Sequence, residues 1–352
     1  VHFALWEKIR EASVIGMRRN FESLNVDFDL WKGEADVHDY IAPMVAELKE
    51  QKLARESDGA LVIDVANAED KKEVPPLILY KRDGAVMYGT TDMATIVERM
   101  KLFAPEKMIY VVDQRQHMHF EQVFRASRKA GIVTAQTELT HAGFGTMNGK
   151  DGKPFKTRAG GVMRLEDLIQ MAVEKARTRM EEAEIAKDMG DKERAEIAHK
   201  VAIAAIKFAD LQNQRQSDYI FDLDCFARFE GKTGPYLLYQ TVRIKSLLRK
   251  ARDKGFEPGR FLQVSDEDRD LALILGQYGD HFQAAVNHYA PHHLCEFAYN
   301  LAAAYSRFYA ACHILSEPDD SLRSSRLTLS ALTASMLEHV LNLLGIEVPE
   351  RM

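Results

Sequence analysis

Residues 149–161 read GKDGKPFKTRAGG, and the character of the chain changes at this stretch. Before it, short apolar segments alternate with segments of helical spacing, whereas nearly everything after it has helical spacing. The glycines permit unusual backbone angles, and Lys150, Lys153, Lys156 and Arg158 supply cationic donors for phosphate oxygens. The composition fits a loop that closes over phosphates, and it also fits a solvated basic turn between two domains.

The overall composition is that of an ordinary globular protein. The chain has 352 residues, of which 46% are hydrophobic and 28% are charged, so it is long enough for two domains that each bury a core. Its net charge of -6 argues against a surface that binds a polyanion over its whole extent. A nucleic-acid-binding surface must therefore be a local cluster of Lys and Arg on an acidic body.

The three cysteines, Cys225, Cys295 and Cys312, are scattered along the sequence and odd in number. This pattern fits a reducing compartment, and it favours neither a disulfide framework nor a zinc site. No apolar run approaches the roughly 18 residues of a membrane span, so we expect a cytoplasmic protein with no membrane partner. The sequence begins at Val1 inside a segment of helical spacing, which indicates a piece of a longer protein.

The residues before the basic stretch are predicted to form an α/β region. Apolar, β-branched segments predict strands over 60–65, 77–80, 86–88 and 108–112, with a hairpin turn between the second and third. The segment 108–112 is continuously apolar, as expected for a strand buried on both faces of a parallel sheet. Apolar spacing predicts helices over 1–24, 38–52, 91–103 and 117–129.

The residues after the basic stretch are predicted to be helical throughout. Two long helices, over 165–183 and 197–211, come first and are expected to pack against each other. Shorter polar turns separate the remaining predicted helices, which span 234–254, 266–289, 291–315 and 322–344.

Several polar residues of the α/β region fall at strand ends or helix starts, where open α/β sheets bind ligands. Asp92 could cap the helix that starts beside it, or it could accept two parallel hydrogen bonds from a guanidinium. His117 and His119 have the spacing of a pair of metal ligands, but no third and fourth ligand stands nearby at zinc spacing, so we predict no metal site. The residues at these positions are Tyr88, Asp92, Asp113, Gln116 and His119.

Six segments spread over nearly the whole chain form a series. They are Asp58-Gly59-Ala60, LILYKRDGAVMYGTTD at 77–92, VDQRQ at 112–116 with His119-Phe120, PFKTR with the following glycine pair at 154–161, TGPYL at 233–237 and LGIEVPERM at 344–352. In this order they resemble the motifs of arginyl-tRNA synthetases, which are class I enzymes. The segment 154–158 stands where the family has its KMSK loop.

The resemblance implies an α/β fold followed by an all-α region, namely the second half of a Rossmann-type class I catalytic domain and an α-helical anticodon-binding bundle. We expect the partial catalytic domain over 1–162, with the KMSK-like loop at 149–161. A helical connecting region over 163–215 and the anticodon-binding domain over 216–352 follow. The sequence contains no HIGH-type motif and no amino-terminal domain of the family, so half of the ATP site is missing from these residues.

The resemblance also implies roles for residues of the α/β region. Tyr88, Asp92 and Gln116 match the family's arginine pocket, in which the Asp faces the substrate guanidinium. His119 matches a residue beside the reactive site and is expected to act in catalysis by a hydrogen bond to substrate or nucleotide. The alternative for His119 is a histidine that contacts the backbone at a helix start.

The basic loop is expected to hold the ATP phosphates through Lys153, Lys156 and Arg158, and we assign Lys156 and Arg158 a catalytic role. The loop is degenerate, so it gives no unique register against the family's second KMSK lysine.

The helix that starts at Gly234 places Tyr236, Tyr239 and Arg243 on one stripe, opposite a stripe that is apolar enough to face a core. Aromatic rings interleaved with cations suit base stacking and phosphate contacts, and the alternative is a set of rings packed at a helix interface. This segment opens the family's anticodon-binding domain. The expected tRNA-binding residues are Tyr236, Tyr239, Arg243, Arg307 and Tyr309.

The function implied by the resemblance is the ATP-dependent ligation of arginine to its tRNA through arginyl-adenylate. The expected partners are arginine, ATP with Mg²⁺ as its ion, and an arginine-accepting tRNA. We expect a monomer with no bound organic cofactor. The alternative is a truncated relative that binds tRNA without activating arginine, and a generic nucleotide-binding α/β enzyme is disfavoured because it would not need the helical domain.

Overall fold

The computed structural model describes residues 2–153 and 163–352, which form two compact units. The α/β unit comprises Phe28–Gly145, and the helical unit comprises Val1–Asp27 together with Thr146–Met352. Each unit has its own hydrophobic core, as the composition predicts. Residues 154–162, which include Lys156 and Arg158 of the basic loop, lie outside the described residues.

The α/β unit follows helix α1 (His2–Ser23) in the sequence. Its first three strands form an antiparallel sheet in the order of the sequence, and its last two form a parallel pair connected through a helix. This βαβ connection is the one that the sequence predicts. The elements are α2 (His38–Glu50), β1 (Ala54–Ser57), β2 (Ala60–Ile63), β3 (Leu77–Tyr80), α3 (Tyr88–Phe103), β4 (Lys107–Tyr110), α4 (His117–Lys129) and β5 (Glu138–His141).

The core of the α/β unit forms where α2, α3 and α4 pack against the strands. On α2 one apolar side is buried, with Ile41, Val45 and Leu48 at 2–4% exposure. Met93 on α3 and Val123 on α4 are fully buried in the same cluster. Full burial of such a side chain contributes about 1.5–3 kcal/mol, so the helical periodicity of these segments accounts for how they pack.

The predicted strand over 86–88 is wrong. The turn before it forms as predicted, because the amide of Lys81 donates a 2.9 Å hydrogen bond to the carbonyl of Ala85. Val86 then makes a single antiparallel bridge with Tyr80, and α3 begins at Tyr88. The helix therefore starts three residues earlier than the sequence predicts.

The strand around 108–112 is not buried on both faces. Met108 and Tyr110 are buried against the helices, whereas Ile109 is 43% exposed and Val111 is 67% exposed. Successive side chains of a strand point to opposite faces. The described residues of this unit therefore cover one face of β4 and leave the other open.

The helical unit contains one core that extends over most of its helices. The predicted helix over 266–289 is two helices that meet at Gln277, where Gly276 and Gly279 flank the break and lower the helix propensity. The elements are β6 (Met147–Asn148), α5 (Leu165–Glu182), α6 (Asp191–Leu211), β7 (Tyr219–Ile220), α7 (Leu223–Phe226), α8 (Gly234–Asp253), α9 (Asp266–Gly276), α10 (Tyr278–His288), α11 (His292–Ala311) and α12 (Asp320–Leu343).

Helix α1 buries none of its residues, although the sequence gives it an apolar stripe. Phe3 is 68% exposed and Ile9 is 58% exposed. No helix within 2–153 or 163–352 is both long enough and apolar enough to cross a membrane.

The start of α8 lies directly against α6. Thr233 caps the helix, since its hydroxyl accepts a hydrogen bond from the amide of Tyr236. Gly234 follows, and a Cβ at this position would overlap the carbonyl oxygen of Ala204 on α6. Glycine at 234 is therefore explained by the close approach of two backbones.

We expect Gly234→Ala to destabilise the helical unit by about 1–3 kcal/mol, because the added methyl group overpacks against rigid backbone. The matched control is Gly276→Ala on α9, where nothing lies within 4 Å of the new Cβ. There the substitution should be neutral or stabilise by up to about 1 kcal/mol, which is the helix-propensity gain. Urea unfolding of the chain measures both, and equal effects at the two positions would contradict the packing explanation.

Candidate functional site

The first turn of α3 is fixed against strand β3. A Cβ on Gly89 would lie 2.5 Å from Cδ1 of Leu77, so any larger residue here would force the Leu77 side chain to shift. The hydroxyl of the buried Thr90 donates a 2.6 Å hydrogen bond to the carbonyl of Leu79. Tyr88 and Asp92 lie one turn apart on this anchored segment, so their side chains share one face of the helix.

Asp92 of α3 and His119 of α4 are joined by a hydrogen bond of 2.6 Å between Asp92 Oδ2 and His119 Nε2. An ionised carboxylate only accepts, so the imidazole Nε2 carries the proton of this bond. The side chain of Asp92 is 30% exposed and that of His119 is 27% exposed, which leaves both within reach of a ligand. The helix-cap alternative for Asp92 is wrong, because the N-cap of α3 is Met87. The bond of His119 to a side chain also argues against a purely backbone contact.

The turn that leads into α4 is ordered by its own charges. The carboxylate of Asp113 accepts hydrogen bonds from the backbone amide of Arg115 and from its guanidinium, at 2.8 Å and 2.6 Å. These bonds to Arg115 lower the pKa of Asp113 to about 2, so the carboxylate stays ionised. This arrangement fixes the loop from which the exposed Gln116 extends.

The other two predicted arginine-pocket residues are more exposed than Asp92. Tyr88 is 68% exposed, and Gln116 is exposed at the end of its turn. Among the residues that the structure describes, no hydrogen bond joins either of them to Asp92. The α/β unit thus links Asp92 to α4 directly and leaves Tyr88 and Gln116 accessible in the same unit.

Tyr110 at the end of β4 is a candidate site residue that the sequence analysis missed. Its hydroxyl is buried and has no hydrogen-bond partner in the described part of the chain. Burial raises the pKa of this hydroxyl, the charge of Arg99 lowers it, and the charge of Asp92 raises it to a smaller extent. The available signal was its position at the carboxyl end of a parallel strand. The amide oxygen of Gln114 is likewise buried without a partner in the described residues.

Only the first part of the basic loop lies within the described residues. The amide of Gly149 donates to the carbonyl of Lys153 over 2.8 Å, which closes a tight turn in which Lys153 is exposed. Lys150 forms an ion pair of 3.0 Å with Asp222 in the helical unit. Lys156 and Arg158 fall among the residues that are not described, so their predicted roles rest on the sequence.

The predicted tRNA-binding residues lie on α8 and α11. The guanidinium of Arg243 lies 4.1 Å from the ring centre of Tyr309, which is a cation–π contact. Tyr236 is half-buried against Tyr299, with ring centres 6.1 Å apart. Tyr239 is 38% exposed, and Arg307 is exposed. Tyr236 therefore contributes to the packing between helices, whereas Tyr239 and Arg307 remain accessible to a ligand.

The apolar stripe of α8 faces the core as predicted. Leu237, Thr241 and Ile244 are fully buried, and Ala251 is 2% exposed. Because the apolar stripe faces the core, the stripe that carries the Tyr and Arg side chains lies on the more open side of the helix.

Comparisons with known proteins agree with this architecture. A family model described as tRNA synthetases class I (R), catalytic domain, matches residues 2–223. A second model, the DALR anticodon binding domain, matches residues 237–352.

Individual relatives are similar over the whole of this chain. The arginine–tRNA ligase of Maricaulis maris is 50% identical over 349 residues, which cover 99% of this chain and 59% of that protein. The arginine–tRNA ligase of Hyphomonas neptunium is 50% identical over 351 residues, with the same two shares covered. The structure of arginyl-tRNA synthetase from Thermus thermophilus is 25% identical with a TM-score of 0.85, over 99% of this chain and 64% of that one.

The chain thus spans about three fifths of the length of the curated relatives that it matches. More than half of its residues match one catalytic-domain model, and the anticodon-binding model follows in the expected order. The chain belongs to the arginyl-tRNA synthetase family of class I aminoacyl-tRNA synthetases.

Proposed function

We propose that this chain forms the arginine-recognition and tRNA-binding part of an arginine–tRNA ligase. The observation that carries the proposal is the carboxylate of Asp92, which is held by His119 at the anchored start of α3 and remains partly exposed. Membership of the family supports the same reaction.

The Asp92 carboxylate is suited to a guanidinium. His119 occupies Oδ2 along one direction, which leaves the other oxygen and further lone pairs for N–H donors of the substrate. A guanidinium can donate two parallel hydrogen bonds to such a carboxylate, and an ammonium group cannot match that geometry. His119 thereby acts as a positioning residue for Asp92, and it also lies close enough to contact bound substrate. Tyr88 and Gln116 complete the proposed pocket.

The proposed reaction has two steps. In the first, an oxygen of the arginine carboxylate forms a bond to the α-phosphorus of ATP, the bond from that phosphorus to the bridging oxygen breaks, and pyrophosphate leaves. In the second, a hydroxyl of the terminal tRNA ribose forms an ester with the arginine carbonyl carbon, and AMP leaves. The protein positions the reactants and stabilises charge, with Lys153, Lys156 and Arg158 proposed to bind the phosphates. Mg²⁺ enters with ATP as the counter-ion of its phosphates, and we assign it no residue of this chain.

We propose the domain division 1–162, 163–215 and 216–352 for the catalytic part, the connecting helices and the anticodon-binding domain. Support comes from α5 and α6, which pack against each other and precede α8 in the sequence. We further propose a cytoplasmic monomer. Its three cysteines are free, which suits a reducing compartment.

The ligase proposal is tested by arginine-dependent pyrophosphate exchange. The assay uses a chimera that joins this chain to the part of the Maricaulis maris relative that it does not cover. We expect exchange with arginine and none with lysine at the same concentration. Exchange that does not distinguish the two amino acids would contradict recognition of a guanidinium by Asp92.

The tRNA interface is tested on the chain itself. We expect Tyr239→Ala combined with Arg243→Ala to weaken tRNA binding by about 1–3 kcal/mol, which is the value of one lost stacking contact. Loss of the Arg243 charge should also make binding less salt-dependent. Filter binding at several salt concentrations measures both effects.

The control for this interface is Arg252→Ala, which removes one charge from α8 at a position roughly 180° around the helix from Arg243. Its tRNA affinity should stay near that of the unmodified chain. If Arg252→Ala weakens binding as much as the double substitution, the Tyr239 and Arg243 stripe is not the tRNA-binding surface.

A further inference from the structure

Three side chains at the junction of α10 and α11 form a cluster that the proposed ligase function does not use. They are His281 on α10 and His293 and Glu296 on α11, and one ligand atom from each lies within 4.8 Å of the others. We propose that these three residues form a binding site for a single divalent transition-metal ion of the zinc type. The proposal is independent of the ligase activity.

The backbone brings the three residues together. Residues 289–291 connect α10 to α11, and Tyr289 reverses the chain in a left-handed conformation with φ of 49°. His293 and Glu296 are three residues apart on α11, so their side chains lie on the same face of that helix. His281 lies on the neighbouring helix and faces this pair.

The hydrogen bond of His281 prepares its ring for a metal ion. His281 Nδ1 lies 3.1 Å from the carbonyl oxygen of His293. A carbonyl can only accept, so Nδ1 carries the proton and the neutral ring has its lone pair on Nε2. Metal-binding histidines usually donate their other ring nitrogen to a carbonyl or carboxylate in this way, which fixes the tautomer and the orientation. The ring of Phe297, centred 5.6 Å away, packs against the imidazole and restricts it further.

The donor set selects the class of ion. Two imidazoles and one carboxylate form a known set of protein ligands for Zn²⁺, in which water completes a tetrahedron. Glu296 is exposed and forms no ion pair with any residue in the described ranges, so its carboxylate can turn towards the histidines. Ligand atoms around a tetrahedral Zn²⁺ are about 3.4 Å apart, given bonds of about 2.1 Å. The three ligand atoms lie within 4.8 Å of one another, so binding requires them to approach by up to about 1.4 Å, which is within the range of side-chain rotation.

An ion at this position would connect α10 to α11. Helix α10 has Ala285 as its one buried residue, so it is held by little apolar burial of its own. A metal ion that binds the folded chain stabilises it by mass action. The prediction of no metal site rested on the surroundings of His117 and His119 alone. His281 and His293 are twelve residues apart in the sequence, and only the return of the chain at 289–291 makes them neighbours.

The test is a titration of the purified chain with Zn²⁺ in competition with a chromophoric chelator. We expect one equivalent to bind, and we expect His281→Ala and Glu296→Gln each to weaken binding at least tenfold. The matched control is His288→Ala, which removes an exposed histidine of the same helix outside the cluster. It should leave the affinity unchanged. Melting temperatures measured without metal establish that each variant is folded.

A Co²⁺ spectrum separates this site from adventitious binding at the exposed Cys225. Binding at the proposed cluster gives visible d–d bands without the near-ultraviolet charge-transfer band of a cobalt–thiolate bond. Zn²⁺ should also raise the melting temperature of the unmodified chain and not that of folded His281→Ala. The proposal is overturned by the absence of stoichiometric binding, by equal affinities for His281→Ala and His288→Ala, or by a thiolate band that Cys225→Ser removes together with the binding.

Discussion

Asp92→Asn is expected to abolish arginine activation in the chimera that completes this chain. The substitution keeps the shape of the side chain and removes the charge that a guanidinium would pair with. Charge-assisted hydrogen bonds contribute roughly 1.5–3 kcal/mol each, so the loss of two amounts to about 3–6 kcal/mol, or about 10²- to 10⁴-fold in kcat/KM for arginine. Pyrophosphate exchange at varied arginine and at varied ATP measures this effect, and the KM for ATP should change little.

The matched control is Asp58→Asn in the same α/β unit. Asp58 lies in the turn between β1 and β2 with φ of 49°, a conformation that Asn adopts readily. This variant makes the same chemical change away from α3 and should retain full activity. Unaltered dependence on arginine in Asp92→Asn would remove Asp92 from the pocket. Equal losses for arginine and ATP would indicate a general defect of the catalytic unit.

His119 provides a second measurement at the same site. If it positions Asp92, His119→Ala should raise the KM for arginine by less than Asp92→Asn does, because the carboxylate remains. The two substitutions combined should then cost little more than Asp92→Asn alone, since residues in one hydrogen-bonded network are not additive.

The sequence predicted those parts of the fold in which one helix face is clearly apolar. Helix α4 runs from His117 to Lys129, as its spacing predicts, and the inner stripe of α8 is buried where it was expected. The start of α3 was misplaced because Val86 and Tyr88 have strand-like side chains, while the close approach of Gly89 to Leu77 that fixes the helix start is a tertiary contact. Local periodicity cannot report such a contact.

The exposed face of β4 has a related explanation. A run of five apolar residues predicts burial on both faces, and the sequence cannot state which neighbours are present to cover Ile109 and Val111. The sequence likewise does not state which side chains of the candidate site contact each other. Resemblance located Asp92 and His119 separately, but their hydrogen bond and the unpartnered hydroxyl of Tyr110 depend on side chains from different elements.

This chain alone is expected to bind tRNA and to form no arginyl-adenylate. The predicted tRNA-binding residues Tyr239 and Arg307 are accessible on the helical unit, and a folded core supports them. Binding through Lys and Arg to phosphates releases counterions, so the affinity should fall steeply as salt rises. Adenylate formation has different requirements, because it needs preorganised donors around the α-phosphate in a site from which water is excluded.

The sequence contains no HIGH-type motif to supply those donors on the second side of the nucleotide. On the side that is present, Tyr88 and Val111 are 68% and 67% exposed, so the surface around the proposed pocket is open to water. Charges that act on a phosphate across open water are strongly screened, and a carboxylate attack on ATP would gain little from them.

Pyrophosphate exchange on the purified chain, with and without tRNA, is therefore expected to match that of a Lys156→Ala and Arg158→Ala variant. Arginine-dependent exchange clearly above that control would contradict the prediction and would mean that these 352 residues hold a complete nucleotide site. Salt-dependent tRNA binding without exchange, together with activity of the chimera, would instead show that the part taken from the relative supplies the nucleotide site.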